Sequence, residues 1–261
     1  IVMFDMDGTL TESRQQFNES ILGESLFKLS KHADIGIITG SDYDYLNEQM
    51  GEFLQKSSCR YKTFLMPCNG TKLFWPPKTS DENFKLLHNK SMKDHLGEKD
   101  YYELLRELIY SQVDIAHANV PLTGHFINCR GSTINWSPIG RNANNEQREK
   151  FIEYDKEHGL RNRAMMELKV MLESKGLLKK LEVKLGGDTS FDIYPKGWDK
   201  TYGLKHFSNW DIWFIGDRCK PNGNDFEIYN ACAKNDQAFV TSGPLETADI
   251  ISKIIEKIRR D

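Results

Sequence analysis

An α/β protein is what this sequence predicts: a Rossmann-like core built on a parallel sheet and interrupted by an inserted α+β cap, an antiparallel sheet with helices. Three observations carry that prediction. Short apolar runs, Ile1-Val2-Met3-Phe4, Ile35-Gly36-Ile37-Ile38 and Ile212-Trp213-Phe214-Ile215, each stop abruptly at polar residues, as strands covered on both faces do. Helical periodicity separates the first two, giving the strand, helix, strand, helix order of a parallel sheet. The pattern then breaks off in the middle of the chain, where strands and helices mix without strict alternation, and resumes near the end.

Taken in order, the first strand ends at Asp5-Met6-Asp7-Gly8, and apolar positions Phe17, Ile21, Leu22, Leu26, Phe27 and Leu29 predict a helix over residues 17–31. The second strand closes at Thr39-Gly40-Ser41-Asp42, and a helix is expected to Leu54. Phe64-Leu65-Met66 is a third apolar run, ending at Asn69-Gly70. Residues 76–100 open with Pro76-Pro77 and are dominated by polar and charged side chains, which predicts a linker or exposed excursion. A helix over 101–112, strands near 124–129 and 132–137, a helical stretch over 144–175 interrupted near Gly159, and strands over 181–185 and 189–194 make up the insert. A second turn-rich crossing, 195–200, leads back to strands at 212–215 and 238–240 and a closing helix over 245–260. The expected domains are therefore a discontinuous core, 1–77 with 197–261, and a cap, 78–196. The length of 261 residues lies near the size at which one core divides in two.

Composition narrows the function. Lys plus Arg number 35 against 38 Asp plus Glu, interspersed along the chain, so no basic stripe for nucleic acid and no polybasic membrane anchor are expected. No apolar run approaches the roughly 20 residues that span a bilayer. Cys59, Cys68, Cys129, Cys219 and Cys232 are widely spaced without a C-x-x-C pair, which points to reduced thiols in a cytoplasmic protein. The chain starts at Ile1, so a short leading segment is expected before it.

The chemistry collects at strand ends, where ligands bind in open parallel sheets. Asp5 and Asp7 follow the first strand, Thr39 and Ser41 the second, and Asp217, Asn224 and Asp225 the later one, with Lys200 in the return crossing. Carboxylates converging in a pocket repel one another unless a cation holds them ionised, and oxygen donors suit Mg²⁺ and, with it, a phosphorylated substrate. An aspartate beside Mg²⁺ and Lys200 can attack a phosphoryl group. A carboxylate two residues on can protonate the leaving oxygen, while Thr39 bonds the phosphoryl oxygens. Any one of these acids could equally be a helix cap; the combination of D-x-D-G-T-L-T, T-G-S and G-D with N-x-N-D argues against coincidence.

Asp5-Met6-Asp7-Gly8-Thr9-Leu10-Thr11 resembles the signature of the haloacid dehalogenase superfamily. NCRGSTINWSPIGR (128–141), SFDIYPKGWDKTY (190–202) and GDRCKPNGND (216–225) resemble the eukaryotic-type α-phosphomannomutases, and the resemblance runs from first strand to last helix. It implies a haloacid dehalogenase core with Asp5 as nucleophile and Asp7 as general acid and base. It further implies Mg²⁺ held by Asp5, Asp217 and the Asp7 carbonyl, Asn224 and Asp225 supporting the metal, and Lys200 assisting the phosphoryl group. Arg14, Arg130, Arg141 and Arg148 would be substrate and phosphate contacts, although composition alone leaves Arg148 a solvated surface residue. Ser190 and Asp192, on one face at strand period, would meet sugar hydroxyls. The implied reaction interconverts mannose-6-phosphate and mannose-1-phosphate, primed by a hexose 1,6-bisphosphate and feeding GDP-mannose synthesis.

The chain departs from the family pattern at Cys68, where Glu is usual, at Tyr45, where a Lys is expected nearby, and at Ala231 and Lys234, where ligands of an additional cation are often found. Tyr101, Tyr102, Leu104, Leu105, Leu108 and Ile109 suit either the cap core or a dimer interface, and the resemblance implies a homodimer through the caps. Two alternatives on the same scaffold stay open at this point, a sugar-phosphate or hexose-bisphosphate phosphatase and a member active on glucose phosphates. A phosphoryl-binding receiver module would be about half the length and lack a cap.

Overall fold

A computed structural model describes residues 1–260, which divide into two compact units: 1–89 with 197–260, and Lys90–Lys196. In the larger unit, β1 (Val2–Phe4), α1 (Glu19–Leu29), β2 (Ile35–Ile38), α2 (Tyr43–Lys56), β3 (Thr63–Met66), β4 (Lys72–Trp75) and β5 (Lys85–Asn89) form the first segment. The smaller unit holds α3 (Met92–Leu96), α4 (Glu98–Ile115), β6 (Ile127–Cys129), β7 (Ile134–Trp136), α5 (Asn145–His158), α6 (Leu160–Ser174), β8 (Leu181–Gly186) and β9 (Ser190–Pro195). The chain then returns through α7 (Thr201–Leu204), β10 (Trp213–Gly216), α8 (Phe226–Ala233), β11 (Ala238–Val240) and α9 (Pro244–Ile258).

The larger unit is a seven-stranded sheet in the order β11-β10-β1-β2-β3-β4-β5. Its first five strands are mutually parallel and β4 and β5 are antiparallel additions. Side-chain alternation sends Val2 and Phe4 to one face and Met3 to the other. The first face packs on Leu22, Leu26 and Leu29 of α1, Leu46 and Met50 of α2, and Ile250, Ile251 and Ile254 of α9. The second packs on Phe207, Ile228 and Cys232. Each such fully buried aliphatic side chain contributes about 1.5–3 kcal/mol, so the apolar runs are strands because both of their faces are covered. Local signals set the helix starts: the side chains of Asn18 and Asp42 accept backbone amides at the heads of α1 and α2.

The order also fixes where a ligand site can form. The chain moves from β1 through β2 to β3 in one direction and from β10 to β11 in the other, so the strand order reverses at β1 and β10. Connections leave on opposite faces there, opening a crevice at the carboxyl ends. Phe4 pairs with Ile215 in register, which sets Asp5 beside the end of β10.

The smaller unit is a four-stranded antiparallel sheet, β6-β7-β9-β8, with helices α3 to α6. The interruption expected near Gly159 is a joint between two helices, with Gly159 at φ 62°, a left-handed conformation that glycine takes without a Cβ penalty. In α4 the apolar stripe divides: Leu104 and Leu108 are buried, whereas Tyr102 and Ile109 are exposed.

The first crossing differs from the expected 77/78. Residues 78–89 belong to the larger unit, because β5 pairs with β4 and extends the sheet, and the boundary falls between Asn89 and Lys90. An edge strand is covered on few sides and needs no continuous apolar run, so its composition resembles that of a loop. The second crossing lies between Lys196 and Gly197. Among the described residues no helix is long and apolar enough to cross a membrane, and all five cysteines are free thiols.

Candidate active site

The loop after β1 delivers Asp5, whose backbone amide donates to the Ile215 carbonyl at 2.9 Å. Its side chain is 4% exposed. Lys200, only 1% exposed, donates from Nζ to Asp5 Oδ1 and to Asp225 Oδ1, each at 2.5 Å. Asp225 is fully buried, and its second oxygen accepts the Arg218 backbone amide at 3.1 Å. Asp217 stands at the end of β10, and oxygens from Asp5, Asp217 and Asp225 all lie within 4.8 Å of one another.

Three carboxylates face one ammonium in this buried space. Burial and the Asp225 charge push the Asp5 carboxyl well above its ordinary range against the pull of Lys200. The same two causes, burial first, push Asp217 up to about 6. Burial disfavours the charge on Lys200, but the carboxylates of Asp225 and Asp5 outweigh it and hold the ammonium on. The residual negative charge, the all-oxygen donor set and one buried carboxylate oxygen, Asp217 Oδ1, that no hydrogen bond satisfies together fit a hard divalent cation such as Mg²⁺.

The tertiary structure holds Lys200 through the return segment. Asn69 Nδ2 donates to the Trp198 carbonyl at 3.1 Å, and the Asn69 amide donates to the Thr39 carbonyl at 2.8 Å, so one turn ties the Thr39 loop to the segment before Lys200. Beside it Gly70, at φ 81°, lies so close to Gly203 that a Cβ would meet the Gly203 Cα at 2.6 Å. Thr39 is buried at the end of β2, with its hydroxyl accepting the Ser41 amide at 3.2 Å.

Asp7 is held apart from this group. Its Oδ1 accepts the Arg14 backbone amide at 2.9 Å, the Tyr45 hydroxyl at 3.1 Å and the Gln49 side-chain amide at 3.3 Å. Arg14 thus contributes its main chain to Asp7, while the residue itself is exposed at φ 62°. Asn224 is not brought into the cluster: it is exposed and makes no hydrogen bond to the three acids. The sequence singles out Tyr45 as a departure from the family pattern, not as a site residue, and Gln49 not at all; their i, i+4 spacing on a helix start places them on one face.

In the smaller unit β7 and β9 pair Asn135 with Asp192 in register. Asn135 Nδ2 lies 2.8 Å from Asp192 Oδ1 and 3.0 Å from Ser190 Oγ, and Arg141 Nη1 donates to Asn135 Oδ1 at 3.4 Å. Arg148 Nη1 donates to the Thr189 hydroxyl at 3.0 Å. Arg141, Ser190 and Asp192 therefore meet on one amide, Asn135, and Arg148 joins the adjacent Thr189; the sequence singles out neither Asn135 nor Thr189 as a site residue. Arg130 is buried at the β6–β7 turn, where its amide donates to the Thr133 carbonyl at 2.8 Å.

Comparison with known proteins gives the family. The model of the eukaryotic phosphomannomutase family matches residues 22–257. The chain belongs to that family. A phosphomannomutase of Dendrobium officinale is 35% identical over 88% of this chain and 85% of its own length. Phosphomannomutase 1 of Dictyostelium discoideum is 33% identical over 98% of this chain and 97% of its own. Among solved structures, an IMP-bound IMP-nucleotidase of Plasmodium falciparum superposes with a TM-score of 0.66 at 17% identity, covering 98% of this chain and 68% of that one. Trehalose-6-phosphate phosphatase of Aspergillus fumigatus gives 0.51 at 17% identity, covering 98% and 92%. At such identities these likenesses concern the fold alone, the haloacid dehalogenase fold, which family membership and sheet order both give.

Proposed function

We propose that the protein is a phosphomannomutase, an isomerase that interconverts mannose-6-phosphate and mannose-1-phosphate. The observation that carries this reading is the separate support of two aspartates two residues apart. Asp5 is held by Lys200 within the acidic cluster, and Asp7 is held outside it by other donors. A nucleophile and a proton carrier need that division, since the first must stay ionised and the second must exchange protons.

In the proposed reaction Asp5 attacks the phosphoryl group of a hexose 1,6-bisphosphate, and Asp7 protonates the departing sugar oxygen. Asp7 then deprotonates the hydroxyl of the incoming monophosphate as that hydroxyl takes the phosphoryl group from Asp5. Thr39 bonds the phosphoryl oxygens, and Lys200 keeps Asp5 oriented for attack. Mg²⁺, held by Asp5, Asp217 and the Asp7 carbonyl with Asp225 in support, would draw negative charge from the phosphoryl group. Arg130, Arg141 and Arg148 bind the phosphate that is not being transferred, Ser190 and Asp192 meet sugar hydroxyls, and the Arg14 side chain is a substrate contact of the larger unit. The product, mannose-1-phosphate, is the substrate class consumed by GDP-mannose synthesis in the cytoplasm. Exposed Ile109, Tyr110 and Val113 on α4 support a homodimer formed through the smaller unit.

Phosphorus NMR of mannose-1-phosphate with Mg²⁺, with and without glucose 1,6-bisphosphate, tests the reading. Conversion to mannose-6-phosphate that depends on the bisphosphate is expected. Growth of inorganic phosphate alone would replace the mutase with a sugar-phosphate phosphatase.

A further inference from the structure

Tyr45 stands where the family pattern leads one to expect a lysine nearby, and its hydroxyl reaches Asp7. It lies in the first turn of α2, whose start is fixed by the Asp42 side chain accepting the Tyr45 amide at 3.2 Å. Gln49 follows one turn later, so both side chains project to the same side of the helix. Gln49 is buried, and its amide can face only one way. The Thr11 hydroxyl donates to Gln49 Oε1 at 2.9 Å, and the reverse orientation would aim Oε1 at the Asp7 carboxylate. The Asp7 Oδ1 acceptor sites are thus filled by three donors, Arg14 N, Tyr45 Oη and Gln49 Nε2. Among the described residues no donor reaches Oδ2.

We propose that Tyr45 is a positioning residue for phosphoryl transfer: with Gln49 it turns the Asp7 carboxyl so that Oδ2 alone carries the proton exchanged with the sugar. The proposal rests on the mutase reading above. When Asp5 attacks phosphorus, the bond from phosphorus to the sugar oxygen breaks, its electron pair stays on that oxygen, and the proton on Asp7 Oδ2 passes to it. In the second half the acceptor hydroxyl returns a proton to Oδ2 as its oxygen bonds to phosphorus and Asp5 is released. Without the tyrosine hydroxyl one restraint on Oδ1 is lost, the carboxyl samples other rotations, and the proton is presented correctly for less of the time.

Leaving-group dependence separates this role from a structural one. A sugar alkoxide needs the proton to depart, whereas 4-nitrophenolate leaves as a stable anion. Rapid-quench phosphorylation of Asp5 is measured with glucose 1,6-bisphosphate and with 4-nitrophenyl phosphate. Tyr45→Phe is expected to slow the reaction with the bisphosphate by about tenfold at unchanged KM, and to leave the aryl phosphate reaction within about twofold of wild type. Tyr45→Lys, which returns a donor on a different stem, is expected to restore most of the rate. Equal slowing with both donors, no slowing with either, or no recovery in Tyr45→Lys overturns the proposal. Failure of the mutase reading shows differently, as a wild-type protein that releases phosphate without isomerising its substrate.

Discussion

The two polar clusters of this protein hold their charges in opposite ways. In the larger unit, opposite charges lock one another: a 1%-exposed lysine lies between two buried aspartates, and a third carboxylate stands alongside. In the smaller unit, two guanidinium groups donate to neutral oxygens, those of Asn135 on β7 and of Thr189 in the turn between β8 and β9, both buried. The difference teaches which parts are interdependent. Removing Lys200 strands the carboxylates of the first cluster without a countercharge, whereas removing Arg141 or Arg148 takes one donor from a neutral acceptor, Asn135 or Thr189. Loss of the countercharge in the first cluster should therefore disturb turnover and folding together, and loss of an arginine in the second should disturb binding alone.

The largest expected effect is that of Asp5→Asn, which deletes the nucleophile at constant volume. Turnover should fall by on the order of 10³ or more while the circular dichroism spectrum is retained. An active variant would remove Asp5 from its role and erase the distinction between the clusters. Lys200→Met comes next. It leaves Asp5 and Asp225 buried without their countercharge and should cost about 3–5 kcal/mol in urea unfolding without metal. A loss below about 1 kcal/mol would mean that the two bonds to Lys200 add little and that the cluster is not interlocked.

The third prediction concerns pH in the absence of metal. Folded Asp217 sits at about 6, against 3.8 as the ordinary value, so between these the folded state binds more protons than the unfolded one. Its contribution to stability is full below 3.8 and fades as pH rises through about 6. The difference in melting temperature between wild type and Asp217→Asn in EDTA should therefore shift against wild type across that window, and Mg²⁺ should reduce the shift. A pH-independent difference would place Asp217 outside the repulsive cluster. The smallest effect is that of Arg148→Ala in the other unit, for which KM should rise about tenfold, or ~1.4 kcal/mol, with the melting temperature unchanged. A drop in stability without a change in KM would make Arg148 a structural residue and blur the contrast.

Much of the fold is legible in the chain because the strands at its centre announce themselves. Val2–Phe4, Ile35–Ile38 and Trp213–Gly216 are covered on both faces and must be continuously apolar, and each ends where the acids begin. The edge strand Lys85–Asn89 announces nothing, because one side of its ladder and much of its surface face solvent. The site divides in the same manner. Asp5, Asp7, Asp217 and Asp225 are visible through their positions after strands, and Lys200 through the string that surrounds it.

Gln49 had no such mark, and the marks on Tyr45, Asn69 and Asn135 did not say what each would face, since an ordinary polar residue becomes part of a site only through its partners. Asn224, by contrast, sits inside the motif and is nevertheless exposed, because adjacency in sequence does not fix burial in a turn.

By itself, then, the sequence determined the layering of the core, the strand ends that carry acids and the pairing of Ser190 with Asp192 on one face. All of these follow from local periodicity and burial. Only the tertiary structure decided that Lys200 closes on Asp5 across 195 positions, that Tyr45 reaches Asp7 across 38, and that residues 78–89 join the core sheet. Such contacts are set by how distant segments pack, and no local pattern encodes the partner.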